Sequence, residues 1–348
     1  MDDLVPSRVH LNEHAQAIVA RVPALLVPAD EAHPLKHYFG QQHLYDEDQP
    51  EVHALLRSWR RILDQYGARI MVGEVYLFDL ERVAAFYGNG HDELALAFNF
   101  GFLWSPWSAA AFRQQVDRME ALLPSGAQPT YVLSSHDAPR SRTRFDDPIW
   151  GQQRARVAAM MLLTLRGTPF FYYGEEIGMR DVAVPSDRIC DPVGKRFPML
   201  NRDPERTPMQ WSAAHGAGFT TAPDSWLPIA PDSTTVNVAR QFHDPRSHLS
   251  FFRRLIWFRK QATALRQGGY RPIDGPADTF VFHRESDDQR LLVALNFASE
   301  PRVVDVRDIR VKRLEISTDG ERVAGPLEAG HLKLGPVEGV IVSDMAQR

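Results

Sequence analysis

Arg69-Ile-Met-Val-Gly-Glu-Val-Tyr76 is a short apolar run that closes on Gly73 and the carboxylate of Glu74. Before it, Val52, Leu55, Leu56, Trp59, Ile62, Leu63 and Tyr66 keep a 3–4 spacing, and Gly67 supplies a stop. Side chains three and four apart share one helical face, so the spacing predicts an amphipathic helix. The run behind it is apolar on both faces, which predicts a buried strand ending in a carboxylate. Working outward, the same grammar repeats. Residues 94–102 are apolar and aromatic, hence strand-like, and 109–123 suit a helix. Thr130-Tyr-Val-Leu-Ser-Ser-His-Asp137 is another apolar run ending in polar residues. Residues 152–165 read as helix, and Gly167-Thr-Pro-Phe-Phe-Tyr-Tyr-Gly174 as strand again. Alternation of this kind predicts an α/β fold, a parallel sheet covered by helices. The polar residues gather at the carboxyl ends of the strands, where barrel enzymes keep their chemistry.

Residues 1–40 carry no motif, and prolines at 23, 28 and 34 interrupt them. A proline-rich segment over 181–244 is too long for an ordinary connection, so it reads as a functional loop or a small subdomain. Residues 249–265 suit another helix. After Gly268-Gly269 the period changes from 3.6 to 2, with short strands expected at 279–283, 291–297, 303–306, 313–316 and 339–342. Turn residues separate them, which predicts a small antiparallel domain over 272–348.

The chain has 348 residues, 44% hydrophobic and 24% charged, with a formal net charge of −4. That is ordinary globular composition and argues against disorder. A slightly acidic balance offers no electrostatic footprint for nucleic acid or an anionic membrane. No run approaches the ~18 apolar residues of a membrane helix. The start, Met1-Asp2-Asp3, has the wrong charge for a signal-peptide n-region. Cys190 is the single cysteine, so neither an intramolecular disulfide nor a cysteine zinc cluster can form. These features together suit a cytoplasmic protein.

Glu74 and Asp137 stand out because each ends a buried run. In a parallel barrel such ends converge on one cavity, where neighbouring acids repel and at least one pKa rises. An acid kept protonated near neutral pH can donate to a leaving oxygen, which is the equipment for glycosidic cleavage. From spacing alone a pair of solvated or salt-bridged acids at loop starts is the stronger reading. His91, His215 and His243 are isolated and read as solvated loop residues, and no His pair has the spacing of a zinc-protease helix. No metal and no organic cofactor are expected. Phe98, Phe100, Phe102 and Trp104 at spacing 2 read as core strand. Nothing beside Cys190 suggests an activated thiolate.

The words around the two carboxylates carry more. The chain resembles the alpha-amylase family of glycoside hydrolases, in its alpha-glucosidase and oligo-1,6-glucosidase branch. Val72-Gly-Glu-Val-Tyr76 is similar to the family's barrel strand five, whose Glu is the general acid/base; Ser135-His-Asp-Ala-Pro-Arg140 is similar to strand seven, with Ser135 in place of the usual Asn. Phe170-Phe-Tyr-Tyr-Gly-Glu-Glu-Ile-Gly-Met179 resembles strand eight, in which Glu175 and Glu176 belong to a structural turn. Asn201-Arg-Asp-Pro-Glu-Arg-Thr-Pro-Met-Gln-Trp211 and Ala217-Gly-Phe-Thr-Thr221 resemble the long loop of exo-acting members. Asp244-Pro-Arg-Ser-His-Leu-Ser-Phe-Phe-Arg-Arg-Leu-Ile256 resembles the helix leading into the last domain.

The resemblance runs over about residues 41–348. It implies a partial (β/α)8 barrel, strands five to eight, followed by an antiparallel β-sandwich. It also implies Glu74 as acid/base, Asp137 as transition-state stabiliser, and His136 and Arg140 as substrate-binding residues. Arg144 is expected in an ion pair. Neither the strand-four segment Gly-Phe-Arg-x-Asp, which holds the nucleophile, nor the strand-three segment Asp-x-x-x-Asn-His occurs in these residues. The resemblance thus implies the carboxyl-terminal part of an alpha-glucosidase, taking short alpha-linked glucosides if completed and inactive alone. An open barrel edge would favour self-association. A non-catalytic remnant or scaffold of the same family is the alternative.

Overall fold

The computed structural model describes residues 48–306, 313–327 and 330–344. Two compact units emerge. The first takes the chain as far as Trp104 together with Arg118–Thr130, the second Ser105–Asp117 with Tyr131–Arg348.

In the first unit, α1 spans Pro50–Leu63, opened by Pro50, whose missing N–H is no loss at a helix start. A 3-10 turn, Asp64–Tyr66, follows, and Gly67 ends it at φ 77°. Strands β1 (Val72–Gly73) and β2 (Leu96–Ala97) pair in parallel, Val72 opposite Leu96 and Gly73 opposite Ala97. A Cβ at Gly73 would sit 2.3 Å from Leu94 Cδ1, so any larger residue there would push the Leu94 side chain aside. Helix α2 (Leu80–Ala85) is capped by Asp79, whose carboxylate accepts from the N–H groups of Glu81 and Arg82 at 2.8 and 3.4 Å. Leu56, Val75, Leu80, Val83, Phe86, Tyr87 and Leu94 form the core beneath these elements.

Two expectations are corrected here. The buried strand expected over residues 69–76 is only two residues long, and it is not covered. Ile70 is 65% exposed and Val72 42%. Among the described residues β1 has a strand partner on one side only, so its apolar side chains lack the second layer a parallel strand needs. The continuous strand expected over 94–102 breaks at Asn99. Its side-chain oxygen accepts from Phe102 N at 2.8 Å and starts a helical turn, Phe100–Leu103. Phe100 and Phe102 are buried as expected, but from a turn.

Helix α3 (Ala109–Leu122) crosses from the second unit's residues to the first's at Asp117–Arg118. Strand β3 (Thr130–Val132) pairs with β4 (Thr168–Phe170). Helix α4 (Gly151–Thr164) buries Ala155 and the run Val157–Thr164, so it reads as apolar on nearly every side. Helix α5 (His248–Gln261) is capped by Ser247, whose hydroxyl accepts from Ser250 N at 3.1 Å. The carboxyl-terminal part holds β5 (Gly269–Ile273), β6 (Thr279–Glu285), β7 (Arg290–Asn296), β8 (Arg302–Asp305), β9 (Arg313–Ser317), β10 (Gly325–Pro326), β11 (His331–Leu334) and β12 (Gly339–Ser343). They make a six-stranded antiparallel sheet, β10-β9-β12-β7-β6-β5, and a two-stranded one, β11-β8. Val281, Leu292, Ala294, Val304, Leu314, Leu332 and Val340 fill the space between. The sheet starts at Gly269, three residues ahead of the boundary read from the period. Strand β11 joins β8 although the sequence pattern does not single it out.

Buried Arg284 fastens the sheet to the helices. It donates to the carbonyls of Thr164, Leu265, Gly268 and Gly269.

Candidate active site

Asp137 follows β3 in a tight turn closed by backbone bonds between Ser135 and Ala138, and Ser135 Oγ accepts from Asp137 N at 3.1 Å. Two guanidiniums from the 181–244 segment converge on the same carboxylate oxygen. Arg202 Nη1 reaches Asp137 Oδ1 at 3.1 Å, and Arg206 Nη2 donates to it too. Arg206 Nε also donates to His136 O at 2.7 Å, and His136 Nε2 lies 3.6 Å from Asp137 Oδ1. Asp137 Oδ2 accepts from none of the described residues, and the side chain is about one-third exposed.

A second tier fixes the first. Asp191 grips the Arg202 fork, Nη2 to Oδ1 at 2.7 Å and Nε to Oδ2 at 3.0 Å, and accepts from Arg202 N at 3.0 Å. The Arg202 hydrogen bonds hold the Asp191 carboxyl well below the usual range. Asp203 is buried, and its Oδ2 accepts from Cys190 N at 2.6 Å and Asp191 N at 3.0 Å. Cys190 thus serves through its backbone, and its thiol points at Arg188 O at 3.6 Å.

Arg140, expected to bind substrate, is fully buried. It pairs Asp181, Nη1 to Oδ1 at 2.7 Å and backbone N to Oδ2 at 3.0 Å, and donates from Nε to Tyr173 O at 3.1 Å. Its guanidinium lies 4.8 Å from the Tyr173 ring centroid and 5.3 Å from that of Tyr172. A polar side chain in the interior is kept there by its partners, and all of these belong to the protein. Arg144, expected to ion-pair, donates to Leu133 O at 2.6 Å and Ser105 O at 3.0 Å. Burial pulls its pKa down to about 10, with the Glu175 charge opposing. Neither arginine reaches Asp137; Arg202 and Arg206 do. Glu205, 3% exposed, has its carboxyl pushed up to about 8, chiefly by burial and next by the Asp181 charge. Glu175 and Glu176 turn back on their own segment, accepting from Tyr172 N at 2.9 Å and Gly174 N at 2.7 Å.

Glu74 lies in the first unit, Asp137 in the second. Glu74 is exposed at the rim of an open hollow of about 390 Å3 walled by Val52, Leu56, Trp59, Met71 and Leu94. No described residue bonds to its carboxylate. Among the described residues no cluster of three His, Cys, Asp or Glu side chains is grouped to hold a metal ion, and no helix is long and apolar enough to cross a membrane.

The residues missed in the sequence, Asp181, Asp191, Arg202, Glu205 and Arg206, come from the long loop. Their signal is the density of opposite charges in Asn201-Arg-Asp-Pro-Glu-Arg206, more than a solvated loop needs.

Residues 19–268 match the alpha amylase catalytic domain, and the chain belongs to that family. The match begins inside the stretch that carries no motif of its own. Among curated relatives, Maltase A1 of Drosophila melanogaster is 32% identical over 309 residues, 84% of this chain and 51% of the relative. Oligo-1,6-glucosidase of Parageobacillus thermoglucosidasius is 29% identical, over 92% of this chain and 62% of the relative. The crystal structure of the trehalulose synthase MutB from Pseudomonas mesoacidophila MX-45 superposes with a TM-score of 0.77 at 30% identity, over 88% of this chain and 60% of that one. The chain spans about half the length of the curated relatives it matches. The fold is therefore that of the family's barrel, of which these residues cover a part, followed by an antiparallel sheet.

Proposed function

We propose that this chain carries the acid/base portion of a retaining alpha-glucosidase site, acting on short alpha-linked glucosides once a nucleophile is supplied. The observation that carries the reading is Asp137. Two guanidiniums pin one of its oxygens, with exposed His136 3.6 Å from that same oxygen, and the other oxygen is an open acceptor that can take a sugar hydroxyl. Glu74 protonates the glycosidic oxygen and then activates water, while Asp137 binds hydroxyls more strongly as the ring gains oxocarbenium character. Arg202 and Arg206 hold the stabiliser, and Arg140 fixes the loop that carries them. No cofactor enters this chemistry. A single cysteine suits a reducing compartment, and the reading puts the chain in the cytoplasm.

The 348 residues contain no Gly-Phe-Arg-x-Asp segment. Without a carboxylate on the far face of the anomeric carbon, the developing charge has no close counter-ion. Turnover of a nitrophenyl alpha-glucoside by the purified chain should therefore fall short of a complete enzyme by about 10⁴–10⁶. Robust turnover that disappears in Glu74→Gln would overturn this and place a nucleophile within these residues. A non-catalytic remnant would also be silent in this assay. It would, however, bind no sugar, whereas the reading here expects glucose to perturb the His136 ring resonances and Asp137→Asn to abolish that. The exposed Ile70, Val72 and Trp59 further favour self-association, which light scattering reads directly; a monodisperse monomer over a wide concentration range would refute it.

A further inference from the structure

An open cleft of about 580 Å3 in the second unit runs along α5 and is bordered by Ile316 of β9. It sits where the part of the chain matched by the catalytic-domain family gives way to the carboxyl-terminal sheet. Clefts at such junctions are where small ligands are most often held. The walls are aromatic, with Phe242 and Trp257 each about half exposed and Phe258 between the helix turns. The polar side chains lining it are His243, Ser250, Arg253, Arg254 and Gln261, and no carboxylate is among them.

The cations here are held by ring faces rather than by acids. The Arg253 guanidinium lies 4.7 Å from the Phe242 ring centroid, and Lys260 Nζ lies 4.5 Å from that of Trp257. Arg254 Nη1 donates to Pro245 O at 2.7 Å, which leaves its remaining N–H groups pointing elsewhere. The acids near by are engaged with other groups. Asp244 accepts from Arg246 N at 2.9 Å, and Glu321 pairs with the Arg246 guanidinium at 3.4 Å. None of these residues takes part in the networks around Asp137 or Glu74.

We propose that this cleft is a second ligand site, for an anionic monoester that carries a ring, with a sugar phosphate as the class that fits. The phosphate lies against Arg253 and Arg254, whose planar forks match phosphate oxygens. The ring lies against Trp257 and Phe242, which supply flat apolar faces. A neutral sugar would use the rings and leave the cations idle. Inorganic phosphate would use the cations and leave the rings idle. The ligand that uses both should bind more tightly than either half.

The test is calorimetric titration of the full chain with glucose 6-phosphate, glucose and inorganic phosphate at low salt. Glucose 6-phosphate is expected to bind at least about tenfold more tightly than the other two, and to weaken as salt is raised. The double variant R253A/R254A should bring its affinity down to that of glucose. Trp257→Ala should bring it down to that of inorganic phosphate, with Trp257→Phe intermediate. All three side chains are exposed, so an unchanged circular dichroism spectrum separates loss of binding from loss of fold. Equal affinity for glucose and its phosphate, absence of binding by all three, or binding that survives R253A/R254A would each overturn the proposal.

Discussion

Asp137 and Glu74 end similar apolar runs, yet their surroundings differ. Asp137 is clamped by two arginines, one of which is held by buried Asp191, which in turn packs against buried Asp203. Glu74 is exposed, behind a two-residue strand whose apolar neighbours Ile70 and Val72 face water. The strand does not preorganise a carboxylate by itself. What orders Asp137 is the long loop arriving from elsewhere in the chain with its arginines. A catalytic group needs its supporting shell as much as its strand.

The comparison breaks most easily at Arg140. Its guanidinium is fully buried beside Asp181, and that pair anchors the turn leading away from Asp137. Arg140→Ala strands the Asp181 carboxylate in the interior, which costs about 3–5 kcal/mol. Urea unfolding followed by near-ultraviolet circular dichroism reads the loss. Arg246→Ala, at an exposed pair with Glu321, should cost under about 1 kcal/mol in the same assay. If Arg140→Ala behaves like Arg246→Ala, the loop is not held in the way described.

A smaller effect concerns pH, and two buried groups pull in opposite directions. The Glu205 carboxyl stands at about 8 in the fold, against about 4.3 in an unfolded chain. Between these values the unfolded chain has released a proton that the folded one keeps. This contribution therefore falls as pH rises from about 4 to 8 and is level above. Burial lowers the His248 ring to about 3, against about 6.5 unfolded. Its contribution is full above about 6.5 and falls as pH drops toward 3. Glu205→Gln removes the first slope. Its gain over the parent should be near zero at pH 4 and reach about 1–3 kcal/mol at pH 9. Thermal melts across that range check it. A gain that stays level from about pH 5 to 9 would mean that Glu205 ionises in the fold as it does in the unfolded chain.

Legibility followed the same divide. Helices α4 and α5 are readable because each buries apolar residues within its own span, whereas α1 is readable from its 3–4 spacing although Leu55, Trp59 and Ile62 of that face stay about half exposed. Most strands of the antiparallel sheet are readable as short β-branched and apolar runs set between turn residues, although β6, β7 and β12 are buried along nearly their whole length. Strands β1 and β2 shrank because a parallel strand draws its order from layers on both faces, and Ile70 and Val72 lack one. At the site, motif words led to Glu74, Asp137 and His136. At Arg140 they left the partner open, because an arginine three residues after Asp137 reads the same in sequence whether it faces a sugar or, as here, Asp181. Arg202, Arg206 and Asp191 stayed hidden because their meaning depends on a contact across about sixty residues of chain.

The smallest expected effect is at Glu74 itself, and it sharpens the comparison from the other side. An exposed carboxylate without a partner among the described residues contributes little to folding. Glu74→Gln should therefore change unfolding free energy by no more than about 0.5 kcal/mol. Asp137→Asn, by contrast, removes charge from beneath two guanidiniums and should cost about 1–3 kcal/mol, the range for hydrogen bonds to charged groups. The two variants are isosteric and differ from the parent only in charge, so the difference between them measures the supporting shell and not the side chain. Denaturant titrations at pH 7 on the two proteins, run in parallel, are enough. Should Glu74→Gln cost as much as Asp137→Asn, Glu74 is engaged in solution by groups that the described residues do not supply, and the contrast between the two carboxylates collapses. If Asp137→Asn is neutral, the arginines bind without order, and the open oxygen of Asp137 loses its claim to be a fixed acceptor for a sugar hydroxyl.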